Sequence, residues 1–205
     1  MSQWHDIAGL TDSAERIQPI MDARNYKAVE TLRSGRLITI RAIRPEDSTA
    51  LLEVFPELDK YSLYLRFFQN KTKITDQELK YFTEVDFIDH VALVATADPI
   101  DKIIAGGRYF AYDHPAKIRS AEIAFMVLDR YQGQGIATLI MKHLLVIARA
   151  NRITQFEAEV LPENAKMLAV FSRTGLPMRV SRVADVLHVS LTLSLDVTES
   201  SERVF

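Results

Sequence analysis

The stretch Asp129-Arg130-Tyr131-Gln132-Gly133-Gln134-Gly135-Ile136-Ala137 decides the fold. An apolar, strand-like run from Ala121 to Leu128 precedes it, and a helical run from Ile136 to about Asn151 follows. Two glycines one residue apart at a strand-to-helix junction let the backbone turn tightly and leave its N–H groups uncovered. Together with the positive end of the helix macrodipole, those donors make a seat for a phosphate or pyrophosphate. The expectation is a chain that handles a phosphate-bearing ligand.

Spacing narrows the choice of ligand. A nucleotide-triphosphate loop needs Lys-Ser or Lys-Thr after its second glycine, where this chain has Ile136-Ala137. A dinucleotide fingerprint needs a third glycine where Thr138 stands. The pattern that fits is Arg/Gln-x-x-Gly-x-Gly/Ala, running from Arg130 to Gly135. The plain alternative is a glycine-rich turn that only starts a helix, and the flanking sequence argues against it.

With 205 residues, 48% of them apolar and 25% charged, the chain reads as one globular domain with a substantial core. A net charge of −2 gives no support to nucleic-acid binding. The longest apolar runs, such as Val91 to Ala97, fall far short of the roughly 18 residues of a spanning helix, so no membrane contact is expected. Absence of cysteine excludes disulfides and thiolate catalysis. His5, His90, His114, His143 and His188 lack ligand spacing, and no metal is expected. Trp4, His5 and Asp6 do not open a basic-then-apolar leader, which makes a cytoplasmic protein the expectation.

Residues Met1 to Thr31 are weakly patterned, with one helical turn conceivable around Pro19, and read as an arm. Leu37 to Ile43 suits a strand. Arg44-Pro45-Glu46-Asp47 starts a helix whose apolar face is Ala50, Leu51, Val54 and Phe55. Asp59 caps a second helix through Phe67, and Thr75-Asp76-Gln77-Glu78 is a capping box for a third. Strands follow at His90 to Ala97 and Ile103 to Tyr112, with a turn at Asp98 to Lys102 and a bulge invited by Gly106-Gly107. A loop at Asp113-His114-Pro115 leads to the strand Ser120 to Leu128. Past the glycine loop come the amphipathic helix, a strand from Gln155 to Val160, and a helix from Asn164 to Thr174 closed by Gly175. Strands Met178 to Val183 and Val186 to Leu195 pair across Ala184-Asp185, and the polar tail begins at Asp196.

This order, with the glycine loop at its centre, resembles the GNAT N-acetyltransferase superfamily from about Leu32 to Leu195. Leu161-Pro162-Glu163-Asn164-Ala165-Lys166-Met167-Leu168 is similar to the family's second signature. Ile40-Arg41-Ala42-Ile43-Arg44-Pro45-Glu46-Asp47, Tyr64-Leu65-Arg66-Phe67-Phe68 and Val85-Asp86-Phe87 resemble the acetyltransferase domain of bacterial protein-lysine acetyltransferases, which act on acyl-CoA synthetases. The resemblance implies an α/β fold: a mixed, mostly antiparallel sheet flanked by helices and splayed at the acyl-CoA site. It implies that acetyl-CoA is the cosubstrate, with the amides of Gln132, Gly133, Gln134, Gly135, Ile136 and Ala137 around its diphosphate. Met126 and Val127 would meet the pantetheine with their backbone, and Asn164 would bind it or simply cap its helix. Arg130 either adds a cation near the phosphates or is a surface arginine; the sequence leaves both open.

A lysine ammonium with a pKa near ~10.4 cannot attack a thioester until a base takes its proton. Glu122 is the candidate, because alternation puts it on one strand face with Ala124 and Met126, and similar enzymes use a glutamate at the matching position. The competing reading is a solvated glutamate near a strand start. Glu157 and Glu159 share a face of the next strand and are weaker candidates. Many relatives place a tyrosine seven residues after the signature asparagine to protonate the leaving thiolate; here Phe171 stands there. That fits the lysine-acetylating type, and equally a chain that binds acyl-CoA and catalyses poorly. Tyr61, Tyr64, Phe67, Phe68, Tyr81 and Phe82 recur at helical spacing, which favours core packing, with a minority lining the acceptor slot. The functional expectation is an acyl-CoA-dependent N-acyltransferase acting on an acceptor amine, a protein lysine first. The alternatives are a small-molecule or N-terminal acetyltransferase and a non-enzymatic acyl-CoA sensor.

Overall fold

The computed structural model describes residues 21–97, 101–113 and 119–193; the turn around Pro19, residues 98–100 of the expected turn, His114-Pro115 and the tail lie outside the described residues. The strands are β1 (Lys27–Thr31), β2 (Leu37–Ala42), β3 (His90–Ala97), β4 (Lys102–Asp113), β5 (Arg119–Val127), β6 (Gln155–Val160), β7 (Met178–Val183) and β8 (Val186–Thr192). The helices are α1 (Ser48–Val54), α2 (Lys60–Phe67), α3 (Asp76–Thr83), α4 (Ile136–Ala150) and α5 (Ala165–Ser172). Among the described residues the eight strands form one sheet in the order β1-β2-β3-β4-β5-β6-β8-β7.

Local chemistry accounts for most boundaries. The Asp59 carboxylate accepts the Ser62 amide at the start of α2, and Thr75 and Glu78 close the capping box of α3. Strand β3 is buried at every position, as its unbroken apolar run requires when both faces are covered. One face carries α4, whose Ile140, Leu144 and Ile147 are fully buried with Tyr109, Ile123, Phe125 and Phe156. The other face lies beneath α1 to α3. Arg41 of β2 makes two 2.8 Å hydrogen bonds to the carboxylate of Asp47, which fixes the entry to α1.

Pairing is antiparallel throughout except between β5 and β6. That parallel contact lasts three rungs, Ser120 with Gln155, Ala121 with Phe156 and Glu122 with Glu157. Beyond it β5 stays with β4 as far as Val127, and β6 stays with β8 as far as Val160. The sheet therefore splits after Glu122, leaving one backbone edge of β5 without a strand partner.

Three expectations are corrected. The arm loses its last five residues to the sheet, because Lys27–Thr31 pairs with β2. As an edge strand it needs little apolar burial, and Val29 is 61% exposed; backbone pairing and the Tyr26–His143–Glu30 chain, at 2.6 and 3.0 Å, hold it to α4. The bulge lies not at Gly106-Gly107 but between the rungs Ala95–Ala105 and Thr96–Ile103. Gly107 serves packing instead: a Cβ there would stand 2.6 Å from Cγ2 of Ile140 and 2.8 Å from Cδ1 of Phe125. Gly107→Ala is thus expected to cost about 1–3 kcal/mol by overpacking. Urea unfolding checks this, and an unchanged midpoint would show that α4 does not approach β4 so closely. The aromatic cluster, finally, is not core. Tyr61, Tyr64, Phe68 and Tyr81 are exposed, since α2 and α3 have only one covered side, while Phe67 and Phe82 face a cavity.

Candidate active site

Strand β5 runs into a tight turn at Asp129–Tyr131, then into Gly133 and Gly135, whose φ angles of +74° and +86° suit glycine. The Tyr131 and Gln132 amides are spent on the carbonyls of Leu128 and Asp129, at 2.8 and 3.1 Å. Among the described residues, the amides of Gly133, Gln134, Gly135, Ile136 and Ala137 find no acceptor. A Cβ on either glycine would meet nothing within 4 Å, so their positive φ and not crowding is what calls for glycine. Five of the six amides named from the sequence therefore remain unpaired among the described residues. Gln132 is the correction, because closing the turn consumes its N–H.

Gln132 acts through its side chain instead. Nε2 donates to Asp129 Oδ1 at 2.8 Å, to Ser62 Oγ at 3.1 Å and to the Val127 carbonyl at 3.3 Å. Its Oε1 accepts from Lys166 Nζ at 2.8 Å. Asp129 also accepts the Ser62 hydroxyl at 2.7 Å and the Asp59 amide at 2.8 Å. The loop is thereby tied to α2 and α5. The Arg130 guanidinium pairs with Glu57 at 3.0 Å and lies over the Tyr131 ring. Asn164 caps α5, its Oδ1 accepting the Met167 amide at 3.1 Å.

At the split, Glu122, Ala124 and Met126 occupy one face of β5, as alternation requires, and Arg108 of β4 sits opposite Ala124. Burial raises the Glu122 carboxyl, with Glu159 and Glu157 adding to the rise and Arg66 opposing it. No hydrogen bond from a described residue holds this carboxylate. Glu157, by contrast, is engaged by the Tyr112 hydroxyl at 2.5 Å and by Gln155 Nε2 at 2.6 Å. Glu159 faces His188 at 3.8 Å. Burial, helped by Arg108, drives His90 down to about 4, so its ring is neutral at pH 7. Beside these groups an apolar cavity of about 120 Å³ lies between α1 to α3 and the strands β3 to β5, with Arg66, Phe67, Phe82, Arg108, Ala124 and Met126 in its wall.

The sequence profile of the Acetyltransferase (GNAT) family matches residues 58–176, more than half of the chain. The chain belongs to this family of acetyltransferases. The acetyltransferase Pat of Mycolicibacterium smegmatis is 35% identical over 144 residues, 70% of this chain and 42% of that relative, so the chain spans less than half of the relative's length. The GNAT domain of S. lividans PAT superposes with a TM-score of 0.74 at 32% identity, covering 82% of this chain and 97% of that one. A likeness in fold alone, at 16% identity and a TM-score of 0.59, extends to yncA from Salmonella typhimurium, solved with its cofactor acetyl-CoA, over 82% of this chain and 99% of that one.

Against the GNAT pattern, Phe171 is buried and packs on Phe125, with 6.3 Å between ring centroids. The sequence reading passed over Asp129, Ser62 and Lys166, whose roles depend on contacts between distant elements. Arg66 and Arg108 were also missed, although each carried a signal. Arg108 interrupts an apolar strand, and Arg66 sits between Leu65 and Phe67 on an aromatic helix. Among the described residues no helix is long and apolar enough to cross a membrane.

Proposed function

We propose that the chain transfers the acetyl group of acetyl-CoA to the side-chain amine of a protein lysine, by direct attack in a ternary complex. The observation that carries this reading is the half-buried, unbonded Glu122 on the last rung before β5 and β6 part, its pKa raised towards that of a working base. The amides from Gly133 to Ala137 hold the diphosphate, each bond to a charged acceptor contributing roughly 1.5–3 kcal/mol. The pantetheine runs along the open edge of β5 at Met126. Val127 contributes less, since Gln132 already occupies its carbonyl at 3.3 Å. Asn164 orients α5 at the far side of the split.

Glu122 takes the proton from the lysine ammonium. The freed nitrogen attacks the thioester carbonyl carbon, the C–N bond forms, the C–S bond breaks, and the nitrogen gives its second proton to solvent. A thiol pKa near ~8.5 makes the thiolate a tolerable leaving group, so solvent supplies its proton and Phe171 costs little. The resemblance of its motifs to bacterial protein-lysine acetyltransferases supports a protein acceptor, such as a lysine on an acyl-CoA synthetase, and a cytoplasmic setting follows from such a partner. The test is incubation with acetyl-CoA and a panel of acyl-CoA synthetases, with modified lysines read by mass spectrometry. Acetylation of one defined lysine is the expected result; transfer only to small amines would reject the protein acceptor.

A further inference from the structure

We infer that the apolar cavity beneath α1 to α3 is an acyl pocket for thioesters whose acyl chain ends in a carboxylate, with Arg66 and Arg108 as its anion-binding pair. The inference rests on the acyl-CoA reading of the glycine loop and of β5. Ala124 and Met126, on the face that would meet the thioester, form part of the cavity wall, whereas Glu122 does not. The cavity therefore continues the acyl side of the site; the base stands outside its wall but within electrostatic reach of Arg66. At about 120 Å³ it is several times the space that one water needs, enough for a short chain.

Its charge has no hydrogen-bonded carboxylate among the described residues; Glu122 attracts Arg66 through space without bonding to it. The Arg108 donors reach only neutral acceptors at long range, Nε2 of His90 at 3.3 Å and the Phe82 carbonyl at 3.4 Å, and its guanidinium lies over the Phe82 ring. The Arg66 guanidinium lies over the Phe67 ring, and no hydrogen bond or salt bridge joins it to a described residue. Burial and repulsion from Arg66 pull Arg108 down to about 10, and burial lowers Arg66 against the attraction of Glu122. Two half-buried guanidinium groups, with no carboxylate of a described residue hydrogen-bonded to either, favour an incoming anion. An acetyl group brings none. A four-carbon chain ending in a carboxylate does, and planar guanidinium donors match its two oxygens. The reaction is otherwise unchanged: the amide C–N bond forms, the C–S bond breaks, one ammonium proton goes to Glu122, solvent takes the second and protonates the thiolate, and the distal carboxylate stays intact.

Succinyl-CoA and butyryl-CoA, equal in chain length, isolate that carboxylate. With the full chain and one common lysine acceptor, thiol release should give kcat/KM at least about tenfold higher for succinyl-CoA, and calorimetry should show the same order of affinity. In Arg66→Gln and Arg108→Gln the succinyl-to-butyryl ratio should fall by about tenfold or more. Equal or better use of butyryl-CoA by the wild-type protein overturns the inference, whether or not the variants fold. So does an arginine-dependent preference for acceptors with a free carboxylate over their amides, which would give the pair to the acceptor. If acetyl-CoA is used and succinyl-CoA is not preferred, only this inference fails; if no acyl-CoA binds, the reading of the glycine loop fails with it.

Discussion

Glu122→Gln is expected to lower kcat for acetyl transfer by about 10²–10⁴-fold while changing acetyl-CoA affinity by no more than about threefold. The two effects separate because the carboxylate stands at the last shared rung of β5 and β6, several residues from the free amides of the glycine loop. Glutamine keeps the shape and loses the ability to take a proton. The pH dependence carries the sign. A protonated carboxyl cannot accept the amine proton, so kcat falls as pH drops through the Glu122 pKa. Burial and the neighbouring Glu159 and Glu157 carboxylates outweigh Arg66 and lift that pKa above its ordinary value, so the acid limb lies above the usual glutamate range. In Glu122→Gln this limb should vanish. Single-turnover rates at saturating acetyl-CoA between about pH 5 and 9 measure both effects. Equal rates near neutrality, or an acid limb that survives in the variant, would remove Glu122 from proton transfer and leave Glu157 or Glu159 to be tested.

What was legible in the sequence was whatever is encoded locally. The glycine loop, the capping residues Asp59, Thr75 and Asn164, and the alternation that puts Glu122 beside Ala124 and Met126 are all short-range patterns. Each follows from backbone geometry that a few neighbouring residues dictate. The errors share an opposite cause. Strand β1 carries little apolar signal because an edge strand leans on backbone pairing. Gly107 looked like a bulge because sequence does not reveal that Ile140 and Phe125 crowd it from other elements. The aromatic residues of α2 and α3 looked like core because helical spacing does not tell a covered face from a cavity wall. The Gln132 amide was counted as a donor to ligand because the turn that consumes it is a matter of three-dimensional closure. Its side chain then links Ser62, Asp129 and Lys166, residues up to 70 positions apart from it in sequence.

Gly135→Glu is expected to weaken acetyl-CoA binding by more than about 100-fold, roughly 2.7 kcal/mol. Two effects combine. At φ +86° a residue with a Cβ is strained by about 1–2 kcal/mol, which biases the loop away from the arrangement that presents its amides. The added carboxylate also puts a negative charge at the start of α4, where it repels the diphosphate. Gly135→Ala isolates the first effect: its Cβ meets nothing within 4 Å, so only the backbone strain acts, and about tenfold weaker binding is expected. Calorimetric titration with acetyl-CoA measures both variants. Because position 135 contacts no core side chain, unfolding midpoints should shift by no more than the strain itself. The order wild type, Ala, Glu in falling affinity follows only if the cofactor's diphosphate sits against the start of α4. Unchanged affinity in Gly135→Glu would mean that the uncovered amides from Gly133 to Ala137 serve something other than coenzyme A.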